Sequence, residues 1–178
     1  MMSPPVIEDE SARLASLRSV HILDTPPEPE FDELVELAAW TCHAPMSAIT
    51  LVDESRQWFK AESGIGLTET PRDVSFCAHT IAGDETLVIT DTSLDLRFRD
   101  NPFVVDDPEV RFYAGVPISL DEGLRIGTLC VLDTRPRTLF SDERRALEII
   151  ARQAAVRLYA RRLEWASIAD LPNPGSDD

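Results

Sequence analysis

The chain has 178 residues, 43% of them hydrophobic, with 32 acidic against 17 basic side chains and a formal net charge of −15. That length suits one compact domain with short extensions, and that apolar content excludes a disordered chain. The acidic surface repels phosphate backbones and anionic lipid, so nucleic acid and membrane are excluded as default partners. No apolar run approaches the roughly 20 residues needed to span a bilayer. The first ten residues carry Pro4, Pro5 and the acidic Glu8, Asp9 and Glu10 where a signal peptide needs a basic and then an apolar stretch. The chain therefore reads as cytoplasmic. Cys42, Cys77 and Cys130 lie far apart with no CxxC spacing, which argues against a disulfide framework or a zinc ribbon. Each is by default a small buried hydrophobe.

Leu14, Leu17, Val20 and Leu23 recur at spacings of three, which predicts a short amphipathic helix over residues 11–23, broken by Asp24-Thr25-Pro26-Pro27. A second helix fits 28–41, where Phe31, Leu34, Leu37 and Ala38 share a face and acidic residues fill the opening turn. Strands follow at 46–53 and 57–62, joined by a hairpin turn, and a loop opens at Gly64 and Gly66 and runs to Arg72. A short helix is expected at 76–82, a strand at 87–90, and then a long irregular stretch over 91–109 anchored by Phe98, Phe103 and Val104. Loops of that length pack on the body and carry function. Strands at 111–120 and 125–132 meet at Asp121-Glu122-Gly123. Ser141 caps a long last helix whose inner stripe is Leu147, Ile150, Ala151, Ala154, Leu158 and Arg161.

This order predicts an α+β fold: a central antiparallel sheet of five to six strands, terminal helices on one face, and pocket-forming loops on the other. The expected division is an extension and helix start over 1–17, a domain over 18–164 and a flexible acidic tail over 165–178.

The runs ILDTPPEPEFDELVELAA and ITLVDESRQWFKAESGI resemble the opening of GAF domains of bacterial sensor kinases and cyclic-nucleotide-signalling proteins. TPRDVSFCAHTI, VITDTSLDLRFRDNP, RFYAGVPI and GLRIGTLCVLDTRPR are similar to later blocks of the same family, in the same order, over roughly residues 18–164. The resemblance implies a GAF-like fold and a regulatory module that binds a small molecule or chromophore and signals to an output protein. No kinase, cyclase or DNA-binding segment follows the last predicted helix, so a free-standing module or a piece of a longer protein is expected.

Cys77 and His79 invite a reactive or ligand-binding role, against the plainer reading that Phe76, Cys77 and Ile81 pack a short helix under the sheet. Family members that attach a bilin do so at a cysteine followed directly by histidine; here Ala78 intervenes, and the pair Cys42-His43 lies in the wrong block. Members that reduce free methionine sulfoxide use several cysteines, one in a block like that around Cys77. The upstream position of that set falls near Leu67, and 91–113 holds no cysteine. Cys130 serves as resolving partner only if the strands bring the two sulfurs together. The spacings of Cys42, His43, Cys77 and His79 match no standard zinc pattern, and no metal or cofactor is assigned.

Asp91, Asp95, Arg97 and Arg99 bracket Phe98 in a mixed-charge loop that either clamps a polar ligand or satisfies itself. Arg111 and Tyr113 share one strand face, and Trp58 alternates with Phe59. The expected ligand-binding set is Trp58, Phe76, Cys77, His79, Asp91, Asp95, Arg97, Phe98, Arg111 and Tyr113, for an unidentified small molecule. Ile149, Val156 and Leu163, seven apart and off the inner stripe, either form a homodimer face or lie under the first two helices. The expected activity is non-enzymatic sensing; the alternatives are a dimerisation module with a vestigial pocket, and a thiol-dependent reductase of free methionine sulfoxide.

Overall fold

In the computed structural model, which describes residues 1–169, six strands form one antiparallel sheet. Helix α1 spans Glu10–Arg18 and α2 spans Pro29–Thr41. Strands β1 (Met46–Val52), β2 (Arg56–Ser63) and β3 (Glu69–Pro71) follow, then α3 (Phe76–Thr80), β4 (Leu87–Ile89) and α4 (Pro102–Val105). Strands β5 (Phe112–Asp121) and β6 (Leu124–Asp133) lead into α5 (Ser141–Ala169). The spatial order is β3-β2-β1-β6-β5-β4, so the last strand returns beside the first. Both faces of the central β1 are buried, which explains its nearly continuous apolar sequence.

The helices at both chain ends cover one face. Leu14 and Leu17 of α1, Phe31, Leu34, Val35 and Ala38 of α2, and Leu147, Ile150, Ala151, Ala154 and Leu158 of α5 pack on Ile49, Leu51, Phe112, Ala114, Val116, Leu129 and Val131. The opposite face carries Met46, Ala48, Val52, Tyr113, Cys130 and Leu132 under α3 and the segments holding Phe98, Val104 and Val110. The predicted division of helices and loops between the two faces is therefore present.

Several elements differ from expectation. Helix α1 stops at Arg18 rather than at residue 23: His21 and Asp24 have positive φ, at 52° and 61°, while Val20 and Ile22 reach the core from turns. A spacing of three residues does not distinguish a helix from such a turn. β3 was expected as loop; it is a three-residue edge strand paired with Arg56, Gln57 and Trp58. In the stretch expected to be irregular, Asn101 caps α4 by accepting a hydrogen bond from the Phe103 amide at 2.9 Å. α5 continues to Ala169, past the expected start of the tail at 165, and residues 170–178 lie outside the described residues.

Lys60 marks a bulge. The register passes from Ile49↔Ala61 to Thr50↔Phe59 and leaves Lys60 unpaired. Its buried ammonium donates to Glu28 Oε1 at 2.6 Å, the Pro26 carbonyl at 2.7 Å and Thr25 Oγ1 at 3.0 Å, using all three of its donors. Arg161 meets the same Glu28 at 3.0 Å. One carboxylate thus ties the start of α2 to β2 and α5.

Candidate functional site

Between the sheet and the loops lies a cavity of about 240 Å³. Met46, Gln57, Phe59, Cys130 and Leu132 form its sheet wall; Ile65, Leu67 and Thr70 close one side, Ser75, Phe76 and Cys77 another, and Phe103, Asp107, Pro108 and Val110 the mouth. Ser75 builds one corner: its Oγ accepts from the Ala78 amide at 3.0 Å to start α3. The same hydroxyl donates to Gln57 Oε1.

Aromatic rings hold the roof. Phe76 stacks on Phe98 at 4.7 Å and on Tyr113 at 5.2 Å, and His79 meets the edge of Phe98 at 4.6 Å. Tyr113 is fully buried, and its hydroxyl lies 2.7 Å from Thr80 Oγ1. Thr80 Oγ1 also lies 3.2 Å from the Phe76 carbonyl, and the single hydroxyl hydrogen of Tyr113 is shared between Thr80 Oγ1 and Cys77 Sγ. Gly115 is required beside it, because a Cβ there would collide with the Tyr113 ring. Gly115→Ala is expected to destabilise the fold by about 1–3 kcal/mol through overpacking. It should also weaken the near-ultraviolet tyrosine dichroism; an unchanged spectrum and melting temperature would show the ring to be free to move.

Two thiols form the floor. Cys77 Sγ and Cys130 Sγ are 3.9 Å apart, with the Tyr113 hydroxyl 3.5 Å from Cys77. Burial disfavours the Cys77 thiolate, but hydrogen bonds from Cys130, Thr128, Thr50 and Tyr113 outweigh it and lower its pKa. Cys130, which gives a hydrogen bond to Cys77 and is itself buried, is raised well above the ordinary thiol value. Cys77 is the more acidic of the two. Cys42 sits in the helical layer, and burial pushes it up to about 12. The two sets Cys42-His43 and Cys77-His79 therefore lie on opposite sides of the sheet.

Of the sequence-derived set, Phe76, Cys77 and Tyr113 line the cavity. Phe98 backs it from the core, and His79 lies behind Phe98, its pKa lowered by burial and by the Arg97 charge. Trp58 is on the opposite face, packed with the helices; its neighbour Phe59 faces the cavity instead. The mixed-charge loop satisfies itself. Asp91 accepts from the Ser93 amide and hydroxyl, and Asp95 accepts from Arg97 Nε at 2.9 Å and Nη2 at 2.6 Å. Arg111 donates to the Val104 carbonyl at 2.8 Å. Each of these charged side chains is engaged in local hydrogen bonds within the segment. Gln57, Phe59, Thr70, Ser75, Asp107 and Val110 were not foreseen; the Ser75 cap followed by an apolar turn was the one local signal for them. Ile149, Val156 and Leu163 are 43%, 60% and 51% exposed, so α1 and α2 do not cover them.

The family model described as GAF domain matches residues 26–158. A cyclic di-GMP phosphodiesterase of Pseudomonas aeruginosa is 39% identical over 163 residues, which are 91% of this chain and 28% of that protein. The chain thus spans little more than a quarter of that relative's length. Among solved structures, the GAF domain of an Acinetobacter phosphoenolpyruvate-protein phosphotransferase superposes with a TM-score of 0.62 at 17% identity, covering 90% of this chain and 98% of that one. The PixJ GAF domain of Thermosynechococcus elongatus, in its blue-light-absorbing form, gives 0.62 at 17% identity, covering 89% and 95%. With three quarters of its length matched by the family model and its fold superposing on these structures, the chain belongs to the GAF domain family.

Proposed function

We propose that the chain is a non-enzymatic, cytoplasmic sensory module that binds a small molecule in the loop-face cavity and passes the change to its terminal helices. The observation that carries this reading is the placement of the cavity. Tyr113, Cys130 and Leu132 line it, while their strand neighbours Phe112, Ala114, Leu129 and Val131 pack in the helical layer with α5. A ligand that shifts β5 or β6 therefore moves residues beneath the helix, provided it binds two states unequally. The stretch shared with a protein named as a cyclic di-GMP phosphodiesterase supports an enzyme of that class as the output partner. Among the described residues no helix is long and apolar enough to cross a membrane. Hydrogen exchange with and without the small-molecule fraction of a bacterial extract tests the relay: protection should change in residues 91–110 and along α5 together. A change confined to the loops would refute the relay.

The output surface we assign is the outer stripe of α5, covered by a second copy of the chain. Ile149, Val156 and Leu163 repeat every seven residues, the spacing of a helix pair, and all three are exposed. Val156→Glu with Leu163→Glu is expected to convert a dimer to monomer in sedimentation without lowering the melting temperature of the monomer. Undiminished association in that variant would remove the stripe from the interface.

A second reading is favoured by the 3.9 Å separation of Cys77 and Cys130. In a thiol-dependent reductase, Cys77 takes the oxygen of a sulfoxide and becomes a sulfenic acid; Cys130 then attacks that sulfur, releasing water and forming a disulfide that an external dithiol reduces. This reading requires turnover of free methionine sulfoxide with dithiol that Cys77→Ser abolishes. A parent protein without turnover eliminates it.

A further inference from the structure

The chemistry of the cavity wall narrows the ligand, on the basis of the sensory reading above. Among the described residues that line the cavity there is no lysine or arginine, and the one charged side chain is Asp107, exposed at the mouth. A phosphate or carboxylate would enter without a cation to meet it, past a carboxylate, on a chain of net charge −15. Most of the polar groups are already used. The Tyr113 hydroxyl is engaged with Thr80, Ser75 with Gln57 and the Ala78 amide, and Cys77 with Cys130. The Gln57 side-chain amide nitrogen makes no hydrogen bond among the described residues; Thr70 Oγ1 also has no partner, but it has no surface open to the cavity.

Volume sets the size. An apolar cavity of about 150 Å³ accepts benzene, so 240 Å³ accommodates one to two fused rings. A tetrapyrrole or a dinucleotide is too large, and each carries anionic groups the wall does not neutralise. We infer that the cavity binds an uncharged aromatic compound of one or two rings, which lie among Phe59, Phe76, Phe103 and Leu132.

The test uses the whole chain and three probes. Xenon reports whether an apolar void exists at all, indole supplies two neutral rings with one N–H, and indole-3-acetate adds an anion to the same rings. Xenon and indole should both shift amide resonances of residues lining the cavity, with indole-3-acetate at least tenfold weaker than indole. Equal affinity for the anion would overturn the ligand class, as would xenon entry without any indole binding. Exclusion of both xenon and indole would instead overturn the cavity reading on which the inference rests.

Discussion

Replacing Arg13 with methionine is expected to destabilise the protein by about 3–5 kcal/mol, because it removes one partner of a buried charge network. Arg13 is 1% exposed although it lies on the first helix. Its Nη1 donates to the Val52 carbonyl at 2.6 Å, and its Nε and Nη2 hold Glu10 at 2.8 and 2.7 Å. Arg72 reaches the same Glu10 at 2.5 Å and the Asp53 carbonyl at 3.1 Å. Two guanidiniums on one carboxylate thus fasten α1 to the β1–β2 turn and to the segment that enters α3. Methionine preserves the apolar stem but leaves the Val52 carbonyl without its donor. The melting temperature should fall by about 6–20 °C. A fall of less than about 2 °C would show that water replaces the guanidinium at little cost.

The same network sets an acid limit. Burial alone would raise the Glu10 carboxyl, but the hydrogen bonds and charges of Arg13 and Arg72 hold it down, at about 2. A carboxyl lowered on folding stabilises the protein above its unfolded pKa, and that contribution is lost as the pH falls toward the folded value. Stability should therefore decline between about pH 4.5 and pH 2. Arg13→Met should flatten that decline; an equally steep loss in the variant would assign the acid sensitivity to other carboxylates.

Phe98→Ala is expected to cost a similar amount, about 3–5 kcal/mol. Phe98 is fully buried between Phe76 and His79, and it is the largest fully buried side chain of the segment between β4 and α4. Its removal opens a void beside Phe76, which lines the ligand cavity, and frees the loop that Asp91, Asp95 and Arg97 otherwise hold through local hydrogen bonds. Limited proteolysis should then cut within residues 91–100, and Phe98→Leu should restore most of the resistance. If the alanine variant stays resistant, those local hydrogen bonds suffice to fix the loop.

How far the sequence led is clearest at these residues. The inner stripe of α5 and the anchoring role of Phe98 follow from periodicity and from an isolated ring in a polar stretch. Alternation along β2 correctly separated Trp58 from Phe59, but alternation carries no sign: in a sheet buried on both faces, either residue suits either layer. The bulge at Lys60 then sends Trp58, Lys60 and Ala61 all toward the helices, which no local pattern announces. Thr70 was equally illegible, since a three-residue edge strand that follows two glycines and ends on a proline resembles a loop. Cys77 and Cys130 were visible as cysteines, but their approach depends on β6 pairing with β1, a contact between distant parts of the chain.

The central claim is that the loop-face cavity is a ligand site. Native mass spectrometry of freshly purified protein tests it directly, with a denatured sample and the folded variant Val110→Phe beside it, the new ring filling the cavity. The parent should carry a reproducible added mass that is absent from both controls. An added mass retained by Val110→Phe would place the ligand elsewhere, and a parent that carries none even after incubation with a small-molecule extract would contradict the claim.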